Sequence, residues 1–345
     1  MEQLTTKALN RALLARQMLL KREPASPLKV IAHLGGLQAQ QPRPPFTGLW
    51  SRIEGFQPNH LQELLNTRQV LRTTSLRGTL HLMTREDFLG WRPLLQPMLT
   101  AGAQAILRDR LQTFDQSAVL EHAIHCLGTG PRSFDTLRKE LIAAFPDSDE
   151  RAMGYFARMH LSVASLPDDD NTFELVPHQS RDRQQAVPLI VSTEQIVERY
   201  LGAFGPASVA DFQAWSGIKG AQHAFDKMNL LTFTAAGKKR VLYDLPGVPR
   251  PDPDTPAPVR LIAEFDNLVL GHADRSRIVA DEHRPRIVTK NLLVLGTFLV
   301  DGFVAGTWKR DGKRIQLEPF EPLAPKVRKA LEAEADGLNH FHTSL

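Results

Sequence analysis

Cysteine is almost absent from this sequence of 345 residues, since Cys126 is the only one. A single cysteine forms neither an intrachain disulfide nor a cysteine-based zinc site, so the cytoplasm is the expected compartment. Long apolar runs are missing as well, and none approaches the ~18 residues that a membrane span needs. Residues 1–23 mix apolar and charged positions, which predicts a helix rather than an export signal. We therefore expect a cytoplasmic protein without a membrane anchor.

Motifs for a nucleotide or a metal are lacking too. The sequence has no Gly-x-x-x-x-Gly-Lys loop, and its 12 histidines do not show ligand spacing. No lysine stands out as a Schiff-base nucleophile. These absences predict a protein that uses no cofactor, no metal and no bound nucleotide. A net charge of +4 is compatible with a polyanionic partner but does not require one.

A three-part pattern recurs along the chain: a helix, a short helical pair, and then a β-ribbon. With 42% hydrophobic and 23% charged residues the chain is an ordinary globular protein, long enough for two or three domains. The order within each unit is that of a winged helix. The predicted helices are 4–20, 27–34, 60–67, 85–99, 117–127, 133–145, 150–159, 193–204, 208–216 and 219–228, and the predicted ribbons are 70–83, 161–176 and 230–245. The predicted domains are winged helices at 1–112, 113–190 and 191–250, and a β-rich region at 251–345.

Two Asp-Gly pairs punctuate the β-rich region. Asp301-Gly302 and Asp311-Gly312 lie between apolar runs. Asp-Gly is a strong signal for a tight hairpin, because a type I′ turn needs positive φ at both central residues. The pattern predicts a three-stranded meander over residues 292–300, 303–310 and 313–318.

A pair of glutamines follows the second predicted helix. Gly35-Gly36 ends that helix, and the prolines after Gln41 are expected to prevent a new one, so residues 37–41 should be extended. Side chains two apart in an extended chain point the same way. Gln38 and Gln40 should therefore share one face, with Leu37 and Ala39 turned toward the core. Both glutamines could equally be solvated loop residues, or could bind the backbone of the neighbouring ribbon.

Paired amides offer donors and acceptors but no titratable group, so they can orient a water molecule and cannot act as a strong base. Hydrolysis of an N-glycosidic bond passes through an oxocarbenium-like state, and a neutral base needs acid catalysis to leave. A purine alkylated on a ring nitrogen is already cationic and needs no proton donor. A glutamine pair therefore suits an alkylated purine better than a neutral one.

Four segments resemble the winged-helix DNA-binding-domain family whose characterised members are AlkZ-like DNA glycosylases. They are Leu37-Gln38-Ala39-Gln40, the stretch from Leu71 to Leu82 with Leu76-Arg77-Gly78-Thr79, the stretch from Phe265-Asp266-Asn267 to Arg277, and Phe298 to Trp308. The resemblance spans nearly the whole chain. It implies an α+β fold of three tandem winged-helix domains in a C-shaped arrangement that cradles double-stranded DNA, with a C-terminal β-rich segment.

The resemblance also implies an activity. Members excise bulky alkylated purines and unhook interstrand crosslinks, and their Gln-apolar-Gln motif maps onto Gln38, Ala39 and Gln40, which makes Gln38 and Gln40 the expected catalytic residues. A related branch has Gln-x-Asp instead, so this chain aligns with the branch tied to bulky and crosslinked lesions. We expect a monomeric, monofunctional hydrolase acting on DNA in a bacterial-type cytoplasm. A β-hairpin probes the lesion in the family, and the Asp-Gly turns are the candidates here.

Cations near the matching motifs are the expected DNA contacts, because phosphate binding needs only such charges. His81 could line the site near Gln38 or be a structural histidine, and Trp308 could stack near the lesion or belong to the core. His272, Asp274 and Arg275 suggest a fixed polar corner, which could instead be a buried ion-pair cluster. Any of the cations could be an ordinary solvated charge. The predicted DNA-binding residues are Arg43, Arg72, Arg77, His81, Arg275, Arg277, Trp308, Lys309, Arg310, Lys313 and Arg314.

Two other functions fit the same coarse pattern. A transcription regulator would bind DNA through its winged helices without catalysis, although the candidate recognition helices 150–159 and 219–228 carry few side chains suited to reading bases. A protein-interaction scaffold would have no affinity for DNA.

Overall fold

The computed structural model describes residues 1–177, 191–312 and 314–345. Its fold mixes helices and strands. The first part of the chain opens with a short strand and continues with helices around a β-ribbon. Its elements are β1 (Glu2–Leu4), α1 (Thr6–Arg16), α2 (Pro27–Leu34), β2 (Leu37–Gln38), α3 (Pro44–Trp50), α4 (Pro58–Asn66), β3 (Val70–Thr74), β4 (Leu80–Thr84) and α5 (Arg85–Leu107).

The second and third parts repeat the order of helices followed by a ribbon. The elements of the second part are α6 (Gln116–Gly128), β5 (Arg132–Ser133), α7 (Phe134–Ala144), α8 (Glu150–His160), β6 (Val163–Ser165) and β7 (Thr172–Leu175). The elements of the third part are α9 (Thr193–Phe204), α10 (Val209–Ser216), α11 (Gln222–Asp226), β8 (Leu231–Ala235) and β9 (Val241–Asp244). The helices and ribbons predicted for these three parts are confirmed, with ends that shift by up to about eight residues, most of all at α5, which ends at Leu107.

The C-terminal part is a sheet covered by a long helix. Its elements are β10 (Arg260–Ile262), α12 (Asn267–Leu270), α13 (Arg284–Ile287), β11 (Gly296–Val300), β12 (Phe303–Asp311), β13 (Arg314–Pro319) and α14 (Pro325–Thr343). The antiparallel order β10-β11-β12-β13 confirms the predicted meander and adds β10 at its edge. Asp301 and Gly302 both have positive φ, as the predicted turn requires.

Two sheets join distant parts of the chain. The first two ribbons form one sheet of order β2-β4-β3-β6-β7-β5, in which Thr73 pairs with Ala164. The N-terminal strand β1 runs parallel to β8, with Gln3 opposite Thr234. One large apolar cluster takes residues from α2, the first ribbon, α9, α10 and the C-terminal sheet. These connections tie the glutamine segment to the third and C-terminal parts.

Four helices depart from the sequence-based expectation, of which the short α12 and α13 lie in the region predicted as β-rich. The prolines after Gln41 were expected to prevent a helix, but Pro44 and Pro45 instead occupy the first turn of α3, where the missing N–H is no loss. Helix α14 was not predicted at all, and its buried face of Leu331, Ala335, Leu338 and Phe341 packs on the C-terminal sheet and on Trp50.

No helix in the described ranges is both long enough and apolar enough to cross a membrane.

Candidate active site

The glutamine segment is an edge strand of the first ribbon. Helix α2 ends at Gly35, whose φ of 64° is left-handed, and β2 then pairs antiparallel with β4. Leu37 and Ala39 are 5% and 0% exposed, whereas Gln38 is half-buried and Gln40 is exposed. This alternation agrees with the expectation that the two glutamines point away from the core.

Arg77 binds the side chain of Gln38. Its Nη2 donates to Oε1 of Gln38 at 2.8 Å and to Oδ1 of Asn267 at 3.1 Å, and its Nη1 donates to the carbonyl oxygen of Trp215. Burial and the nearby charge of Arg275 lower the pKa of Arg77 to about 10, so the guanidinium remains charged at neutral pH. Arg77 was predicted as a DNA contact, but its guanidinium donates to oxygens of Gln38, Asn267 and Trp215 within the protein.

His81 lies directly opposite Gln38 in the β2–β4 ladder and is fully buried. Its Nδ1 lies 3.1 Å from the carbonyl oxygen of Thr79, which only accepts, so Nδ1 carries the proton and Nε2 is the bare nitrogen. Nε2 faces Nη2 of Arg77 at 3.5 Å. Burial, and then the charge of Arg77, lower the pKa of His81 to about 3. A neutral, buried imidazole offers no charge to a phosphate, so His81 lines the site as a structural group.

Arg72 holds the backbone of the same segment. Its Nε donates to the carbonyl oxygen of Ala39 at 2.9 Å, and its Nη2 donates to that of Gln40 at 3.3 Å. Nη1 lies 3.3 Å from Oδ1 of Asp170 in the turn of the second ribbon. The predicted DNA contact at Arg72 is therefore also an internal one, and it fixes the direction of the chain at Gln40.

Asn267 connects this cluster to the C-terminal sheet. It is 3% exposed, and its Nδ2 lies 3.5 Å from the carbonyl oxygen of Gly36, so it contacts both the glutamine segment and Arg77. The preceding Asp266 caps α12 and forms a buried ion pair with Arg52, with both N–O distances 2.8 Å. The sequence singled out Asn267 only as part of a family-like motif, and its contact with Arg77 is long-range and left no local signal.

The strand register places the β12–β13 hairpin at the end of the C-terminal sheet that lies next to Asn267. Ile262 pairs with Thr297, and Gly296 pairs with Trp308. The chain therefore leaves β10 toward Asn267 at the end of the sheet beyond which the last residues of β12, Lys309 to Asp311, extend. Arg310 and Arg43 both lie close enough to His342 for their charges to help lower its pKa to about 4, after burial, which is the largest cause. Arg43 follows the glutamine segment, so the hairpin and that segment approach each other near His342.

Most of the remaining cationic residues predicted to bind DNA lie at the surface, and they differ in their exposure and in whether an acidic residue pairs with them. Arg43, Arg310 and Arg314 are exposed, and Lys309 is exposed but paired with Glu318 at 2.7 Å. Arg275 is half-buried near Arg77, with no acidic partner among the described residues, and its enclosed Nε has no hydrogen-bond partner. Lys313 lies outside the described residues.

Two predicted DNA contacts are core residues. Arg277 is 3% exposed and donates from Nη1 to the carbonyl oxygen of Pro206 at 2.6 Å. Trp308 is also 3% exposed, and its Nε1 donates to the carbonyl oxygen of Ile262 at 2.9 Å. His272, beside Arg277, is buried and hydrogen-bonded to the carbonyl oxygen of Phe204. Neither Arg277 nor Trp308 presents its polar group to a duplex, because each already binds a backbone carbonyl.

Histidine, cysteine and carboxylate side chains do not cluster as metal ligands anywhere in the described part of the chain. The groups gathered around Gln38 are amides, guanidinium groups and a neutral imidazole. Such a set can orient water and bind anions, and it supplies no base that titrates near neutral pH.

The chain is similar to a known protein family, to a curated relative and to a solved structure. The sequence model of a family described as DNA glycosylase AlkZ-like matches residues 31–341. A stretch of 148 residues is 25% identical to the "Interstrand DNA cross-link repair glycosylase" of Streptomyces sahachiroi and covers 41% of this chain and 40% of that protein. The fold is similar to the solved structure of "Streptomyces sahachiroi DNA glycosylase AlkZ", with a TM-score of 0.80, 20% identity, and coverage of 96% of this chain and 95% of that one.

Proposed function

The chain belongs to the AlkZ-like DNA glycosylase family, and from this membership we propose that it hydrolyses the N-glycosidic bond of cationic N-alkylated purines in duplex DNA. The preferred substrates are bulky lesions and interstrand crosslinks at N7 of guanine. The protein acts as a monofunctional glycosylase that uses no cofactor and works as a monomer in a bacterial-type cytoplasm. The name of the Streptomyces relative supports crosslinked DNA as a substrate.

One observation carries the proposal: Gln38 and Gln40 point outward from one extended segment that two arginines hold in place. Arg77 binds the side chain of Gln38, and Arg72 binds the carbonyl oxygens of Ala39 and Gln40. Catalysis by orientation requires that the orienting groups are held in fixed positions, because a displacement of about 1 Å can lower the rate ~100-fold.

The reaction needs little from these residues beyond orientation. The bond between C1′ and N9 breaks, and its electron pair moves into the purine and neutralises the positive charge of the alkylated ring. The oxygen of a water molecule bonds to C1′, and the proton that water loses passes to solvent. The amides of Gln38 and Gln40 orient the water and the base, since an amide is too weak a base to remove the proton first.

The same chemistry explains the choice of substrate. A neutral purine leaves only after protonation, and the site offers no acid for that step: the pKa of His81 is about 3 and the pKa of Arg77 is about 10. An N7-alkylguanine carries its positive charge already. Unmodified DNA is therefore spared, because its bases are poor leaving groups at this site.

The DNA-binding surface in this proposal is smaller than the sequence suggested. It consists of the exposed Arg43, Lys309, Arg310 and Arg314, the half-buried Arg275, and Lys313 from the sequence alone. We place the β12–β13 hairpin against the lesion, because it leaves the C-terminal sheet at the end that Asn267 connects to Gln38. Residues 1–112, 113–190 and 191–250 serve as tandem winged helices in a C-shaped arrangement around the duplex, and residues 251–345 carry the hairpin.

The experiment compares four duplexes: one with a bulky N7-alkylguanine, one with N7-methylguanine, one with an N7-linked interstrand crosslink, and one unmodified. Abasic sites formed in a single turnover are measured after alkaline cleavage. We expect release from the three modified duplexes, fastest for the bulky lesion and the crosslink, and none from the unmodified one. DNA binding without release would identify a regulator instead, and the absence of both would identify a scaffold.

A further inference from the structure

The hydrogen bond from Arg77 occupies one of the two lone pairs of the Gln38 side-chain carbonyl oxygen and fixes its direction. A guanidinium group only donates, so the amide atom 2.8 Å from Nη2 of Arg77 must be the carbonyl oxygen Oε1. This fixes which end of the amide is free. The Nε2 group of Gln38, with its two N–H bonds, has no partner in the described ranges and is not among the enclosed unpaired atoms.

Arg77 cannot easily turn away from Gln38. It sits at φ 56° in the turn between β3 and β4, and its other acceptors come from α10 and from the start of α12. Contacts from three separate parts of the chain therefore determine where its guanidinium lies. The orientation of the Gln38 amide follows from that position.

Gln40 differs from Gln38 in this respect. Arg72 binds its backbone carbonyl oxygen, but its exposed side chain has no partner within the described residues. Both ends of its amide are therefore available. Gln40 offers a water molecule a side-chain carbonyl oxygen with both lone pairs unused, whereas Arg77 already binds one lone pair of the Gln38 oxygen.

We propose that the two glutamines have different roles, with Arg77 as a positioning residue that makes Gln38 a hydrogen-bond donor while Gln40 supplies the acceptor. The attacking water donates one hydrogen to Oε1 of Gln40, which turns a lone pair toward C1′. Nε2 of Gln38 donates to an acceptor atom of the departing purine, where the electron pair of the broken bond accumulates. This inference rests on the proposed glycosylase activity and assigns the division of labour within it.

Near-isosteric carboxylates separate the two roles. In Gln38→Glu the acceptor for Arg77 remains but the N–H donors are lost, so we expect a loss of about 100-fold or more in the single-turnover rate on an N7-alkylguanine duplex. In Gln40→Glu an acceptor remains, so we expect at most about a tenfold loss. The matched control is Gln41→Glu, which puts the same charge on the exposed next residue and should leave the rate within about twofold.

Arg77→Met tests the positioning role while keeping much of the side-chain volume. We expect the saturated single-turnover rate to fall about 10- to 100-fold, with the Kd for the lesion duplex changed less than about threefold. Arg77→Lys keeps the charge and provides a second variant if Arg77→Met does not fold, which thermal melting will show. The same loss of rate is expected for it, because an ammonium group does not replace the planar donors of arginine.

The opposite results would overturn the inference. A Gln38→Glu variant as active as wild type, or a Gln40→Glu variant that loses more than Gln38→Glu, would contradict the assigned roles. Arg77 variants that weaken Kd and leave the saturated rate unchanged would make Arg77 a DNA contact. If wild type releases no base from any duplex, the proposed function and this inference both fail, whereas reversed roles in an active enzyme overturn the inference alone.

Discussion

Gln38 and His81 are direct cross-strand partners, and the imidazole of His81 is held neutral beside the charged guanidinium of Arg77. A protonated His81 would face that positive charge inside the protein with no solvent around it. The residues that contact Gln38 therefore keep one charge state over the whole physiological range.

The first prediction concerns the pH dependence of base release. The pKa of His81 is about 3 and that of Arg77 about 10, so neither group titrates between pH 5.5 and 8.5. The single-turnover rate on an N7-alkylguanine duplex should change less than about threefold over that interval, after subtraction of spontaneous release. A bell-shaped profile, or a tenfold change per pH unit, would mean that an ionising group takes part in the reaction.

Stability, unlike the rate, should depend on pH. His81 and His272 are buried and each has a pKa of about 3, against about 6.5 in the unfolded chain. The unfolded state therefore binds more protons below pH 6.5, and the free energy of unfolding falls as the pH drops. Each buried histidine should remove about 1.4 kcal/mol per pH unit between pH 6.5 and about 4.

Urea denaturation at pH 7.5, 6 and 5 checks this prediction. His81→Gln should reduce the pH slope by the contribution of one histidine, whereas Gln41→Ala, which removes an exposed side chain without a titratable group, should leave the slope unchanged. An identical slope in wild type and His81→Gln would show that His81 is not kept neutral in the folded protein.

Arg72 should matter for catalysis through the backbone that it holds. Arg72→Met removes the hydrogen bonds to Ala39 and Gln40, so we expect the rate of base release to fall about 10- to 100-fold. Arg68→Met is a matched control, because Arg68 pairs with Glu174 between the same two ribbons without touching the glutamine segment. Equal losses in the two variants would indicate that the pairing of the ribbons matters, and not the hold on Gln40.

The exposed arginines at the end of the C-terminal sheet should set the salt dependence of DNA binding. Each phosphate contact contributes about 0.9 to the slope of log K against log salt. Arg43→Ala, Arg310→Ala and Arg314→Ala should each lower that slope by about one and leave the rate at saturating enzyme unchanged. Lys139→Ala removes an exposed cation of α7 outside this surface and should have no effect on the slope. A slope near zero in wild type would count against phosphate binding altogether.

Sequence alone predicted the local elements well where caps and breakers are strong. Helix α2 was predicted at residues 27–34, and the structure has the same bounds. Ser26 caps its N-terminus, and the left-handed Gly35 ends it. Helix α9 begins after a capping box formed by Ser192 and Gln195. The prediction for the prolines of α3 was wrong because proline disrupts a helix only in its interior. In the first turn proline is well tolerated and often starts the helix.

Long-range partners could not be read from the sequence. Two of the acceptors of Arg77 lie 138 and 190 residues further along the chain, so its charge suggested a phosphate contact while the fold supplies protein oxygens. Arg277 was misplaced for the same reason, because its buried guanidinium binds a carbonyl oxygen 71 residues away. The shared outward direction of Gln38 and Gln40 could be predicted because their spacing in an extended segment is a local property, whereas their catalytic role came from the family resemblance and stays a prediction.

The most direct test is base release by wild type, Gln38→Ala, Gln40→Ala and Gln41→Ala on one duplex that carries a bulky N7-alkylguanine. Abasic sites are counted in a single turnover with enzyme in excess, and thermal melting confirms that each variant is folded. We predict rapid release by wild type and Gln41→Ala, and losses of about 100-fold or more in Gln38→Ala and Gln40→Ala. Release at the wild-type rate by folded Gln38→Ala and Gln40→Ala variants would contradict the assignment of the chemistry to this pair.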